Sequence, residues 1–198
     1  MKSTLVNMVL SLGIITVVAG ALLAWVFSMT EGPIKQADLD KQIAAVSAVT
    51  PEFNNDPVAE AVDITPEGES TPLKVFPARD AEGKLVGAAV ESYSSAGFSG
   101  DIKLIYGFDV EGNVTGYEVM SHAETPGLGA KMGDWFKMSE GKRSVIGLNP
   151  SATEGGLTVS KDGGQVDAIT AATITSRAFL DALNRASRAY SQLKSSEK

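Results

Sequence analysis

The chain has 198 residues, 43% of them hydrophobic, and a formal net charge of −7; that is one domain of ordinary size plus an appendage, and the absence of any basic stripe argues against a nucleic-acid partner. It contains no cysteine and a single histidine, His122. Disulfides, thiolate zinc sites, cysteine-held iron–sulfur clusters and C-x-x-C-H haem attachment are thereby excluded, so redox chemistry here has to belong to an organic cofactor.

Between Lys2 and Glu31 no side chain is charged, and the run exceeds the ~20 residues that cross a hydrocarbon core. A transmembrane helix is predicted over residues 5–29, after a short tail, 1–4. A cleaved signal peptide with Ala19-Gly20-Ala21 at its cleavage site is the rival. The apolar run continues through Leu22, Leu23, Trp25, Val26 and Phe27, which favours a retained anchor in membrane lipid. Lys2 on one flank, against Lys35 and Lys41 on the other, leaves the orientation undecided by charge.

After Gly32-Pro33, Ile34, Leu39, Ile43 and Val46 recur at helical spacing, which predicts an amphipathic helix stopped by Thr50-Pro51. The acidic, proline-bearing stretch from Glu52 to Thr71 reads as loop with room for one short strand. Together these form a juxtamembrane helix and linker, 30–72.

The domain predicted over 73–194 repeats itself. KVFPARDAEGKLVGAAVESYSSAGFSG, from Lys74, aligns without a gap onto KLIYGFDVEGNVTGYEVMSHAETPGLG, from Lys103. Each copy has two β-type runs around an acidic-glycine turn, the pattern of a hairpin. A weaker third copy, LTVSKDGGQVDAITAATITS, turns at Asp162-Gly163-Gly164. GFSG, HAETPGLG and TAATITS each follow the second strand of a predicted hairpin; three hairpins would bring them to one end of a sheet, and periodicity alone is equally consistent with repeated turns that form no site.

The closing helix places Phe179, Leu180, Leu183, Ala186, Tyr190 and Leu193 on one face, with Arg177, Asp181, Arg185 and Arg188 largely away from it. Residues 195–198 are a tail. The predicted class is α+β: an N-terminal transmembrane helix, then repeated antiparallel hairpins packed with helices.

Four hydroxyls, Thr170, Thr173, Thr175 and Ser176, surround the start of that last helix. One of them, Thr173 or Thr175, suffices as an N-cap worth ~1 kcal/mol. The start is also an anion site by its free amides and dipole, and Ala171 and Ala172 leave the approach to it narrow and uncrowded.

DAITAATIT resembles the flavinylation motif of FMN-binding domains, Asp-x-x-Ser/Thr-Gly-Ala-Thr, with Asp167, Thr170, Ala172 and Thr173 in matching positions and Ala171 where the pattern usually has glycine or serine. HAETPGLGAK, His122 to Lys131, is similar to a segment of one branch of that family, which comprises the G subunit of the Rnf complex and the C subunit of the sodium-pumping NADH:quinone reductase. The resemblance implies covalent FMN, esterified through its phosphate to Thr173 by a separate flavin transferase that uses FAD. It further implies a single-pass subunit of the inner membrane whose soluble part faces the periplasm or exterior. Such a subunit works beside other membrane subunits of a complex that couples reduced ferredoxin and NAD to ion movement, as an electron carrier without substrate chemistry of its own.

Within that frame, Pro126-Gly127 and Gly129 suit a tight turn whose backbone lies against a flat ring, Leu128 offers apolar surface, and Glu124 and Thr125 suit the polar ring edge. His122 and Glu124 alone would read as a surface hydrogen-bonded pair. Thr175 is expected to help hold the phosphate, Trp135 to stack near the ring, and Lys131 to offset negative charge. The rivals are a flavinylated carrier of another extracytoplasmic system and a cofactor-free membrane-tethered module whose TAATITS is only a helix start.

Overall fold

The computed structural model describes residues 4–197. The chain divides into two compact units, one ending at Gln42 and the other starting at Ile43.

Helix α1 runs Leu5–Val49, with Pro33 inside it. From Leu5 to Thr30 it carries no charged residue and presents apolar side chains all round. Leu10, Ile15, Leu23 and Phe27 are all exposed, and an 18-residue window with mean hydropathy 2.4 has none of its residues buried in the protein. A helix of that length and composition is able to cross a bilayer.

The second unit is an antiparallel sheet of five strands in sequential order: β1 (Val62–Ile64), β2 (Leu73–Arg79), β3 (Leu85–Gly97), β4 (Gly100–Asp109) and β5 (Val114–Ser121). The two predicted hairpins are present. Their turns are built alike: Asp80 Oδ1 accepts from the amides of Glu82 and Lys84, and Asp109 Oδ1 accepts from Glu111, Gly112 and Asn113. A carboxylate that folds back on its own turn is the mechanism behind the repeated acidic-glycine signal.

The predicted third hairpin does not form. Its two β-type runs meet only in an isolated parallel bridge between Val159 and Val166. Between them Ser160–Asp162 winds as a 3₁₀ turn, ended by the left-handed Gly163, so the Asp-Gly-Gly signal closes a helical turn instead of reversing a strand.

The short helix α2, Met132–Trp135, lies under the β5 end of the sheet and buries Met132. Helix α3, Thr173–Ser196, covers one face of the sheet. Phe179, Leu183, Ala186 and Tyr190 join Leu104, Tyr106, Phe108 and Tyr117 in one buried cluster, and Phe179 meets Tyr106 and Tyr117 edge-on and Phe136 stacked. The expectation for Arg185 is corrected. It is 8% exposed, because its guanidinium donates to the Tyr93 carbonyl at 2.7 Å and pairs with Glu69 at 3.0 Å. Glu69 arrives from a distant loop, so the local helical pattern carries no sign of it.

On the opposite face, Ala45, Val46 and Val49 pack on Phe76, Ala89 and Ile105. Backbone meets backbone there: a Cβ on Gly107 would collide with the Val49 carbonyl, so only glycine admits this approach.

Candidate functional site

GFSG, HAETPGLG and TAATITS do converge. Phe98, Glu124, Thr125, Leu128, Gly129 and the run Ala171–Thr175 line one cleft of about 310 Å³, at the lower end of the range for small-molecule sites. GFSG is the tight connection between β3 and β4, and it carries Phe98 at its tip, 69% exposed. HAETPGLG folds as a turn in which the Leu128 amide donates to the Thr125 carbonyl, with Gly127 at φ +79°. That is the type II geometry expected of Pro126-Gly127.

Glu124 joins the three loops. Its side chain is buried, its Oε1 accepts from the Ser99 amide at 2.9 Å and its Oε2 accepts from the Thr175 hydroxyl at 2.5 Å. Glycine brackets it on both sides: a Cβ on Gly97 would stand 2.9 Å from Oε1, and one on Gly129 would collide with Oε2. The two do not form the side-chain pair that they would suggest if read alone: His122 is exposed, its Nδ1 accepts the Glu124 amide, and it does not line the cleft, where Glu124 does. Both carboxylate oxygens of Glu124 are engaged inside the protein, which makes it the brace of the cleft.

The helix start differs from a capped one. Ala172 occupies the N-cap position and makes no side-chain capping hydrogen bond; the helical ladder begins with the Ser176 amide on the Ala172 carbonyl. Neither Thr173 nor Thr175 caps. Thr175 is turned inward to Glu124, while Ser176 accepts the Ile169 amide and donates to the Ala172 carbonyl. The amides of Thr173, Ile174 and Thr175 precede the ladder and border the cleft, where the helix dipole favours an anion.

Thr173 is half-buried, and its hydroxyl accepts a hydrogen bond from Lys161 Nζ at 3.1 Å. Lys161 lies in the segment predicted as a hairpin, and a hairpin there carries no reason to look for it beside Thr173. Lys131, the expected counter-charge, is exposed and does not line the cleft. Thr170 is exposed as well.

Ala171 has φ +61°, the only left-handed non-glycine residue among those described, and it stands at the position where the resemblance leads to an expectation of glycine or serine. Ala171→Gly is expected to raise stability by about 0.5–1 kcal/mol, relief of steric strain outweighing the freer unfolded chain. Denaturant unfolding of the full chain checks this, and a loss of stability would contradict the strained geometry.

Asp167 supports the loop from behind. It accepts from the Ser160 hydroxyl at 2.6 Å and from the Lys142 amide at 3.1 Å, and the Ser160 hydrogen bond, with the Lys142 amide next, holds its carboxyl below the usual range. Trp135 does not reach the cleft: its indole N–H donates to the Asp167 carbonyl at 2.9 Å, and Arg143 covers its ring. The expectation that it stacks near a bound ring is replaced by a role in holding the Asp167 backbone.

Residues 97–188 match the family described as FMN-binding domain. The G subunit of the ion-translocating oxidoreductase complex of Salmonella typhimurium is 38% identical over 83% of this chain and 81% of its own length. The protein of the same name from Aliivibrio fischeri is 32% identical over 94% and 90%, and that from Methanosarcina acetivorans 32% over 91% of each.

The chain belongs to the family of G subunits of ion-translocating oxidoreductase complexes.

The crystal structure of Shewanella oneidensis NqrC is 22% identical over 72% of this chain and 74% of that one, with a TM-score of 0.45. Within the matched FMN-binding span of this family member fall all three loops of the cleft, and also Lys161, Asp167 and the first four turns of α3.

Proposed function

We propose that this protein is the membrane-anchored electron-carrier subunit of an Rnf-type ion-translocating ferredoxin:NAD oxidoreductase complex, with FMN held covalently on Thr173. The apolar helix over 5–29 anchors it, residues 73–194 form the FMN-binding domain, and everything beyond about residue 30 faces the periplasm or exterior. One observation carries the reading: an accessible threonine hydroxyl stands at an uncapped helix start, on the rim of an apolar cleft built by three loops.

The residues fit the cofactor. Phe98, Leu128 and Ile174 are exposed apolar side chains around the cleft, suited to the faces of a flat ring. The first-turn amides of α3 and the Lys161 ammonium suit a phosphate. Thr175 and Glu124 are engaged with each other, so the phosphoester is left to Thr173. In its formation a flavin transferase supplies FAD, the Thr173 Oγ bonds to the phosphorus on the flavin side, AMP departs, and the hydroxyl proton leaves to the transferase or solvent; nothing is oxidised or reduced. Bound FMN supplies one- and two-electron redox chemistry.

What the chain itself contributes is attachment, orientation and an open edge. An exposed cleft suits a carrier that exchanges electrons with cofactors in neighbouring membrane subunits, and a covalent bond suits a compartment where lost FMN is not replaced. Affinity purification of the full chain from membranes tests the assignment. It should bring down the other membrane subunits of the complex together with covalent flavin; a flavinylated chain that purifies with an unrelated extracytoplasmic reductase would overturn the Rnf-type assignment.

A further inference from the structure

We propose that Lys161 is a positioning residue for the modification of Thr173, and that Asp167 acts on that reaction through Lys161 without touching the cofactor. The inference rests on the flavinylation reading above. Its first ground is the 3.1 Å hydrogen bond from Lys161 Nζ to Thr173 Oγ1, which spans 12 residues of sequence and joins the 3₁₀ turn to the helix start.

Its second ground is how that turn is held. On one side of Lys161, the Ser160 hydroxyl donates to Asp167 at 2.6 Å and the Ser160 amide donates to the Val166 carbonyl at 2.7 Å. On the other side, Asp162 accepts two hydrogen bonds from Arg177, in the first turns of α3, both at 2.8 Å. Both neighbours of Lys161 are thus tied to the segments that flank Thr173, so the backbone of the turn is fixed and a flexible side chain is aimed at one hydroxyl. Asp167, the first residue of the motif, has its side chain committed to the turn and to Lys142, and does not line the cleft.

The chemistry follows from an ammonium hydrogen-bonded to a nucleophilic oxygen. When Thr173 Oγ bonds to phosphorus and the bond to AMP breaks, negative charge grows on the oxygens around that phosphorus. An ammonium that the turn keeps beside the Thr173 oxygen stabilises the charge with little reorganisation. In the product the same ammonium faces the phosphodiester.

The test is a time course of covalent flavin incorporation, by in-gel fluorescence and intact mass, in the full chain co-expressed with the flavin transferase. Lys161→Gln should slow incorporation by about tenfold, the value of one charge-assisted hydrogen bond in a transition state, and Lys161→Arg should recover most of the rate. Ser160→Ala, which cuts the link to Asp167, should also slow it. The double variant should be no slower than Lys161→Gln alone, because both act along one path. Thermal midpoints should stay near the wild-type value throughout, which separates positioning from folding.

Incorporation into Lys161→Gln at the wild-type rate would overturn the inference, as would an arginine variant as slow as the glutamine one. A double variant whose losses multiply would overturn the route through Asp167. A wild-type chain that never acquires flavin would overturn the flavinylation reading itself, a result distinct from a labelled wild type beside an equally fast variant.

Discussion

Thr173→Ala is expected to abolish covalent flavin while leaving the fold intact. Thr173 is half-buried, does not cap α3 and gives up only a hydrogen bond from an exposed lysine, so its removal should change stability by no more than about 0.5 kcal/mol. Thr175→Ala should do the reverse. Its hydroxyl is buried and donates to Glu124, and its loss leaves a buried carboxylate oxygen short of a donor, at a cost of about 1–3 kcal/mol. Flavin should persist in that variant. If both threonines merely capped the helix, both would lose ~1 kcal/mol alike. Flavin fluorescence in denaturing gels together with denaturant unfolding separates the two cases, and covalent flavin retained by Thr173→Ala but lost by Thr175→Ala would move the attachment site.

Glu124→Ala is expected to have the largest effect on stability among changes at the site. The carboxylate is the common partner of the Ser99 amide and the Thr175 hydroxyl, packed between two glycines that leave no room for anything else. Alanine removes both acceptors and leaves a void lined by polar groups, at a cost of about 3 kcal/mol. Glu124→Gln should cost less, about 1 kcal/mol, since its oxygen can still take the Ser99 amide while its amino group meets the one Thr175 oxygen able to accept. Unfolding free energies of the two variants, measured on the full chain in detergent, test the ranking. Alanine tolerated as well as glutamine would mean that the brace does not hold the loops together.

How far the sequence reached depends on whether the deciding contact was local. The two hairpins were legible because Asp80 and Asp109 each satisfy the amides of their own turns, a property of a few consecutive residues. The third hairpin failed because Asp162-Gly163-Gly164 suits a 3₁₀ turn as well as a strand reversal, and the choice was made by ties to Asp167 and Arg177. That same failure hid Lys161. The covering helix was legible from its apolar face, whereas the burial of Arg185 depends on Glu69, more than 100 residues earlier in the chain.

At the site, the shared place of the three loops after each second β-type run made convergence one of two equal readings, and the loops do meet, although the third run is not a strand. What stayed out of reach was the division of labour inside the cleft. Thr175 faces inward and Thr173 outward because successive residues of a helix start point in different directions, and only the position of Glu124 on another loop tells which hydroxyl is taken. The left-handed Ala171 was likewise invisible, since alanine rarely signals such a conformation.

The central claim is a phosphoester of FMN on one threonine, and mass spectrometry of the denatured protein tests it most directly. The protein should come from cells that contain an active flavin transferase, and the peptide spanning Thr173 and Thr175 should be fragmented to place any added mass. The expected result is a peptide carrying FMN through phosphate on Thr173; an unmodified peptide, in a preparation where the transferase labels a control acceptor, would contradict it.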